Sequence, residues 1–423
     1  MDASRPKALK LTRTQSLRYG LAGLLVSSTS LPLYILVPSI YVTTYGLSLA
    51  TIGIILMVIR LMDAVTDPFF GKLIDKTQSH KKFQFWTVPS GILMTVGYIA
   101  LIHPPEGLSN DVEILTYMAV CTLLVSTAAG AFNVAVQAWP IQWTTNTLEQ
   151  SELVSRREQL TLIGIIVAST LSTAANSKIF TTYLLVVTII TSVSILSLPA
   201  ARNAARFSKA FDWGSLRSMA LLMSPLFLSA LANATAATLF MFYVTDYLML
   251  SQSHGGQLLA IYFISALVGI WFWQKTMASG NTIKAYMLTI SMTVIVFLQG
   301  FWLDDTNAEL FTLICIGTGL FVGAELLLSS MLLIKNIKYI NQEDNSGIIL
   351  GTWGLLMKLG LALAAGLALP LLSFWGYQPG LTLKHEGLAV IYLATPILLK
   401  IISLILLSVH NHQNGHIYEP NQD

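Results

Sequence analysis

Residues 49–77 read LATIGIILMVIRLMDAVTDPFFGKLIDKT. A hydrocarbon core roughly 30 Å thick takes about 20 residues of helix, and the apolar stretch 49–73 is long enough to cross it. Arg60, Asp63 and Asp67 interrupt that stretch at i, i+3 and i+7. With about 3.6 residues per turn and a 1.5 Å rise, their side chains project from one stripe about 10 Å long. Each charge near the middle of a membrane helix costs about 2.5–3.5 kcal/mol on insertion-based scales. The stripe must therefore face protein, and the segment predicts one helix of a larger membrane bundle.

The rest of the chain agrees. Of 423 residues, 54% are hydrophobic and 11% charged, with a mean hydropathy of +0.66. Soluble domains carry about 25% charged residues. Apolar runs recur at 17–43, 49–73, 84–102, 112–143, 153–174, 179–200, 217–249, 256–275, 282–303, 308–334, 346–375 and 386–409. They are unbroken rather than alternating, which argues for helices and against barrel strands. The expectation is an all-α integral membrane protein of twelve transmembrane helices in two six-helix halves. Cys121 and Cys315 fall in apolar runs and read as packing residues, and a net charge of +3 gives no support for nucleic acid.

The basic residues orient the bundle. With the N-terminus inside, 19 of the 24 Lys and Arg fall in inside segments, only Lys178 and Lys384 fall outside, and Arg60, Lys358 and Lys400 lie within spans. Such a bias places both termini in the cytoplasm, in a plasma or bacterial inner membrane. The divisions are a retained tail (1–16), an N-terminal half (17–200), an amphipathic cytoplasmic linker (201–216), a C-terminal half (217–409) and a free tail (410–423). A monomeric functional unit within membrane lipid is expected, with two halves rocking about a midplane site.

Arg60 balances one of the two carboxylates and leaves the other in excess. Carboxylates at i, i+4 in a partly dry cavity repel each other, and either hold a proton or recruit a cation. Asp63 and Asp67 are thus candidates for coupling Na⁺ or H⁺, with the Thr66 hydroxyl as an added oxygen donor; the alternative is an ion-pair brace. Lys358, about twelve residues into its span, needs a partner, and the span-two carboxylates are the obvious ones. Glu325 is another deep charge, suited equally to cavity lining and to helix packing. Asn133 and Gln137, at i, i+4 with Trp139 close by, offer amide hydrogen bonds and an aromatic platform for a polar solute, or simple interhelical bonding. Trp353 faces the same cavity or packs.

The pattern Arg60-x-x-Asp63-Ala64-x-x-Asp67-Pro68-x-x-Gly71-x-x-x-Asp75 resembles the span-two signature of the glycoside–pentoside–hexuronide:cation symporters, the melibiose permease-like branch of the major facilitator superfamily. Gln137-Ala138-Trp139, Arg157-Glu158, Gly323-Ala324-Glu325-Leu326, and Trp353 with Lys358-Leu359-Gly360 extend the likeness. The resemblance implies that Arg60, Asp63 and Asp67 line the cation path, that Arg157 faces the sugar cavity and that Lys358 lies near the cation. It also implies a gate at Gly71 to Lys82, where Asp75 with Lys81 or Lys82 acts as a latch; otherwise these lysines are anchors. Two departures stand out. Ser27 and Asn133 occupy positions where such members carry acidic, sugar-gripping residues, and Lys335-x-x-Lys338 replaces a paired-aspartate motif. The lysines either re-pair with Glu149, Glu152 or Glu158, or strengthen the inside charge bias.

A cation-coupled symporter of a small polar solute, a sugar or glycoside, follows; a lysolipid or other amphiphile is the alternative cargo. The chain has no Gly-rich phosphate loop. Asp63-x-x-x-Asp67 also has the spacing of a Mg²⁺-diphosphate motif in membrane-embedded polyprenyl transferases. That chemistry needs a second acidic motif on the same side, and the close pair Asp304-Asp305 falls on the other. No enzyme activity and no cofactor beyond the coupling ion are expected.

Overall fold

The computed structural model describes residues 11–108, 110–173, 177–200, 213–276, 281–303, 308–377 and 386–418. The basic residues before Leu11, linker positions 201–212, Asp304, Asp305 and Lys384 lie outside the described residues. Twelve long helices follow one another: α1 (Arg13–Tyr45), α2 (Leu49–Lys76), α3 (Lys82–Ile102), α4 (Asp111–Trp143), α5 (Thr147–Thr173), α6 (Ser177–Leu196), α7 (Trp213–Phe242), α8 (Gln252–Thr276), α9 (Thr282–Leu298), α10 (Phe311–Tyr339), α11 (Ser346–Phe374) and α12 (Glu386–Asn414). Each expected span falls on one of them. The described residues contain no strand.

Local chemistry sets the ends. Thr12 and Gln15 form a reciprocal capping box that starts α1, and Gly46 ends it at φ +68°. Asn110 caps α4, whose first turn carries Asp111 and Glu113 against the helix dipole. In α2, Ile54, Leu61, Val65 and Phe69 are exposed while Asp63 and Asp67 are buried. The apolar face is thus left for lipid and the charged stripe turned inward, as the spacing requires.

Packing repeats with a shift of six helices. Contacts of α1 with α5 and α6, of α2 with α4, and of α3 with α4 and α6 recur as α7 with α11 and α12, α8 with α10, and α9 with α10 and α12. Between the halves, α2 lies on α11 and α5 on α8, a pairing that maps onto itself under the same shift. This is the symmetry of two parallel repeats. The α2–α11 crossing is tight at Gly71, where a Cβ would stand 2.2 Å from the Gly347 carbonyl oxygen.

Both ends of the described chain lie at one end of the bundle, called here the terminal end. The Leu11 amide donates to Glu149 Oε1 (3.1 Å) and the Ser16 hydroxyl to Glu152 Oε1 (2.8 Å). The expected free tail after residue 409 is instead structured through Tyr418. Helix α12 continues to Asn414, and a 3₁₀ turn, Gly415–Tyr418, folds back onto α9, α10 and α12. Tyr418 is fully buried; its hydroxyl meets Asn336 Nδ2 (3.1 Å) and His410 Nε2 (2.8 Å). The polar sequence hides this because one aromatic ring does the anchoring.

Candidate functional site

Lys358 of α11 reaches across to the other half and bridges both α2 carboxylates, with Nζ 2.8 Å from Asp63 Oδ2 and 2.8 Å from Asp67 Oδ1. The carboxylate side chains are 7% and 4% exposed, and Lys358 is 22% exposed. The partner demanded by the depth of Lys358 is therefore in place. Gly130 of α4 lets a third helix approach: a Cβ there would stand 2.5 Å from Asp67 Oδ1 and 3.3 Å from Asp63 Oδ1. Thr66 donates to the Asp63 backbone carbonyl (2.9 Å), which leaves its oxygen free only as an acceptor.

A cavity of about 190 Å³ lies against this pair. Arg60, Asp63, Asn133 and Lys358 supply its polar wall together with Thr29, Ser30 and Ser126, and Val26, Leu33, Val125 and Leu361 its apolar one. Arg60 and Asn133 thus share a space with the ion pair. Gln137 sits one turn along α4 and donates to Asn133 Oδ1 (3.1 Å), fixing that amide.

Five expected cavity residues are placed elsewhere. Ser27 is buried in the α1–α5 contact and donates to the Gly23 carbonyl (2.9 Å), because Gly164 opposite it admits its hydroxyl. Trp139 is fully buried and stacks on Phe83 at 5.5 Å, with Tyr19 edge-on and Trp143 tilted against it. Arg157 is paired with Glu158 and only 9% exposed, away from the cavity wall. Trp353 belongs to the packed core. Glu325 is held inside the C-terminal half, where Lys400 contacts both its oxygens (2.8 and 2.9 Å) and Ser229, Asn233 and Thr293 donate to it. Lys400, 1% exposed, lies within a span as the sequence indicates, but the sequence names no partner for it. Ser126 was missed as a wall residue.

The residues expected to form a gate gather at the terminal end. Asp75 accepts from the Gly347 and Ile348 amides (2.9 and 2.8 Å), so a carboxylate of one half meets the helix N-terminus of the other. Lys82, buried over Phe83, lies near Asp75, whereas Lys81 is exposed at the start of α3. Lys338 does not re-pair with Glu149, Glu152 or Glu158; it donates across the halves to the Thr145 carbonyl (3.0 Å) and Gln150 Oε1 (2.6 Å). Lys335 donates instead to the Tyr418 carbonyl (3.1 Å). Gln142 adds bonds to the Glu343 carbonyl (3.1 Å) and Ser346 Oγ (3.3 Å). The Asp75, Lys338 and Gln142 contacts join the two halves at the terminal end.

The family model described as MFS/sugar transport protein matches residues 18–411. The chain belongs to this family. Among curated relatives it is similar to the glycoside/cation symporter candidate YagG of Escherichia coli (strain K12), 27% identical over 38% of this chain and 35% of that one. It is also similar to the uncharacterized symporter YnaJ of Bacillus subtilis (strain 168), 26% identical over 30% of this chain and 28% of that one. The matched region spans about a third of those relatives. Among solved structures, a bacterial homologue of the iron transporter ferroportin in an outward-facing state superposes with a TM-score of 0.71 at 12% identity, covering 95% of this chain and all of that one. FucP in the outward conformation gives 0.64 at 12% identity, covering 94% of this chain and 98% of that one. The fold is thus that of the major facilitator superfamily, a multi-pass integral membrane architecture of transporters, not of enzymes.

Proposed function

We propose that this protein is a secondary transporter that couples Na⁺ or H⁺ to the symport of a small polar solute, a sugar or glycoside, by alternating access. The observation that carries this reading is the Lys358 bridge to Asp63 and Asp67, an ion pair that spans the two halves and forms part of a cavity wall. A cation arriving at either carboxylate competes with the Lys358 ammonium and so weakens the contact between halves. Cargo held on the same wall shares that contact, which is what ties the two fluxes together.

Two further features support the reading. The cavity, at about 190 Å³, is below the roughly 300–1,000 Å³ of drug-sized pockets, and suits a compact solute better than an amphiphile with an acyl chain. The end at which the Asp75, Lys338 and Gln142 contacts join the halves is the one that the basic residues assign to the cytoplasm, in keeping with both termini inside. Asp75, Lys338 and Gln142 are the gate, with Gly71 as the hinge contact and Lys335 and Lys82 flanking it.

Purified protein in proteoliposomes tests this. Labelled sugars and a lysophosphatidylcholine are offered with a Na⁺ gradient, a pH gradient or neither. Accumulation of a sugar under one of the gradients is expected. Accumulation of the lysolipid alone, or no gradient dependence, would overturn the proposal.

A further inference from the structure

Buried hydroxyls in this bundle habitually donate to the carbonyl one turn earlier. Thr87, Thr188, Thr235, Thr293 and Thr318 all do so at 2.6–2.9 Å, the usual way for a membrane helix to satisfy such groups. Ser126 of α4 does not; Thr122 and Thr282 also lack a partner, but neither lines the cavity. Ser126 is 4% exposed, its Oγ has no hydrogen-bond partner, and it lies on the cavity wall. A second unpartnered atom belongs to another residue of the same wall: Asp63 Oδ1, on a residue 5% exposed whose other oxygen is held by Lys358. Gly130, one turn from Ser126, presents no side chain between them. A buried polar atom left unmet is destabilising, so two on residues of one small cavity, a donor-acceptor and an acceptor, are groups that a hydroxyl-bearing ligand would satisfy.

Resting on the transport reading above, we infer that Ser126 is a specificity-determining contact, holding one hydroxyl of a polyol cargo together with Asp63. The cargo O–H donates to Asp63 Oδ1 and its oxygen accepts from the Ser126 hydroxyl. Asn133, two turns along the same face of α4, takes a further hydroxyl. The carboxylate that binds Lys358 through Oδ2 thus binds cargo through Oδ1, and loading of the cavity is felt at the bridge between the halves.

The experiment uses whichever sugar of a panel (D-xylose, D-glucose, D-glucuronate, methyl β-D-galactoside, melibiose) the wild-type protein takes up in proteoliposomes, with its monodeoxy analogues. Ser126→Ala should raise KM about fivefold, the factor that one hydrogen bond of typical net strength carries, while kcat stays within twofold. Ser126→Cys, close in size but a weak donor, should fall between. One deoxy analogue should bind the wild type more weakly than the parent sugar, and Ser126→Ala should abolish that difference. KM unchanged within twofold, or discrimination among analogues retained in Ser126→Ala, would overturn the inference and leave the transport reading standing. Failure of every sugar to enter would defeat both.

Discussion

Lys358 and Lys400 are both deep cations with 2.8 Å carboxylate contacts, but they do different work. Lys400 and Glu325 lie in the same half and are ringed by donors from α7 and α9, a closed and charge-balanced brace. Lys358 joins the two halves and leaves Asp63 Oδ1 unmet. Removing one partner of a buried pair costs about 3–5 kcal/mol, whereas replacing both with apolar groups is often neutral. Glu325→Gln is therefore expected to lower the melting temperature of the purified protein by several degrees or more, and Glu325→Met with Lys400→Met to recover most of the loss. Equal losses in the two variants would count against a brace. The span-two charges and Lys358 were legible in the sequence because mid-helix charge is expensive and demands a partner. The pairing of Lys400 was not, since that residue lies nine residues from the end of its apolar run (386–409), where depth is ambiguous. Ser27, Trp139, Arg157 and Trp353 show the converse limit: residue type suggests cavity chemistry, but helix rotation decides which face a side chain occupies.

At the scale of elements, every apolar run became a helix, because run length against bilayer thickness is a strong signal. Partners at the terminal end were harder to read. Lys335 and Lys338 lie one turn apart on α10, yet one holds the C-terminal strap and the other holds the opposite half. Their acceptors are mainly backbone carbonyls, which every residue carries and no motif announces. The strap therefore fixes the end of the helix that bears Lys338. Tyr418→Ala empties a fully buried aromatic site, expected to cost about 3–5 kcal/mol, and removes the hydroxyl that ties the strap to Asn336 and His410. A cysteine placed at Gln150 should then label faster with a membrane-impermeant maleimide from the terminal side. An unchanged labelling rate would show that the strap does not support the gate.

For the molecule as a whole, α2 on α11 and α5 on α8 join the two halves, and under the transport proposal they are the contacts about which the halves turn. Cross-linking the terminal end should stop transport. With Cys121 and Cys315 replaced by Ala, Gln142→Cys with Ser346→Cys joined by a short, reducible thiol cross-linker should lose sugar uptake, and a reducing agent should restore it. Persistent uptake in the cross-linked protein would exclude rocking at this contact. The central claim, that the charge bridge couples cation to cargo, is tested most directly by Asp67→Asn, which keeps Lys358 paired with Asp63 but removes one carboxylate charge. In proteoliposomes this variant should retain counterflow of the transported sugar at equal ion concentrations and lose accumulation driven by the cation gradient. Accumulation equal to that of the wild-type protein would contradict the account.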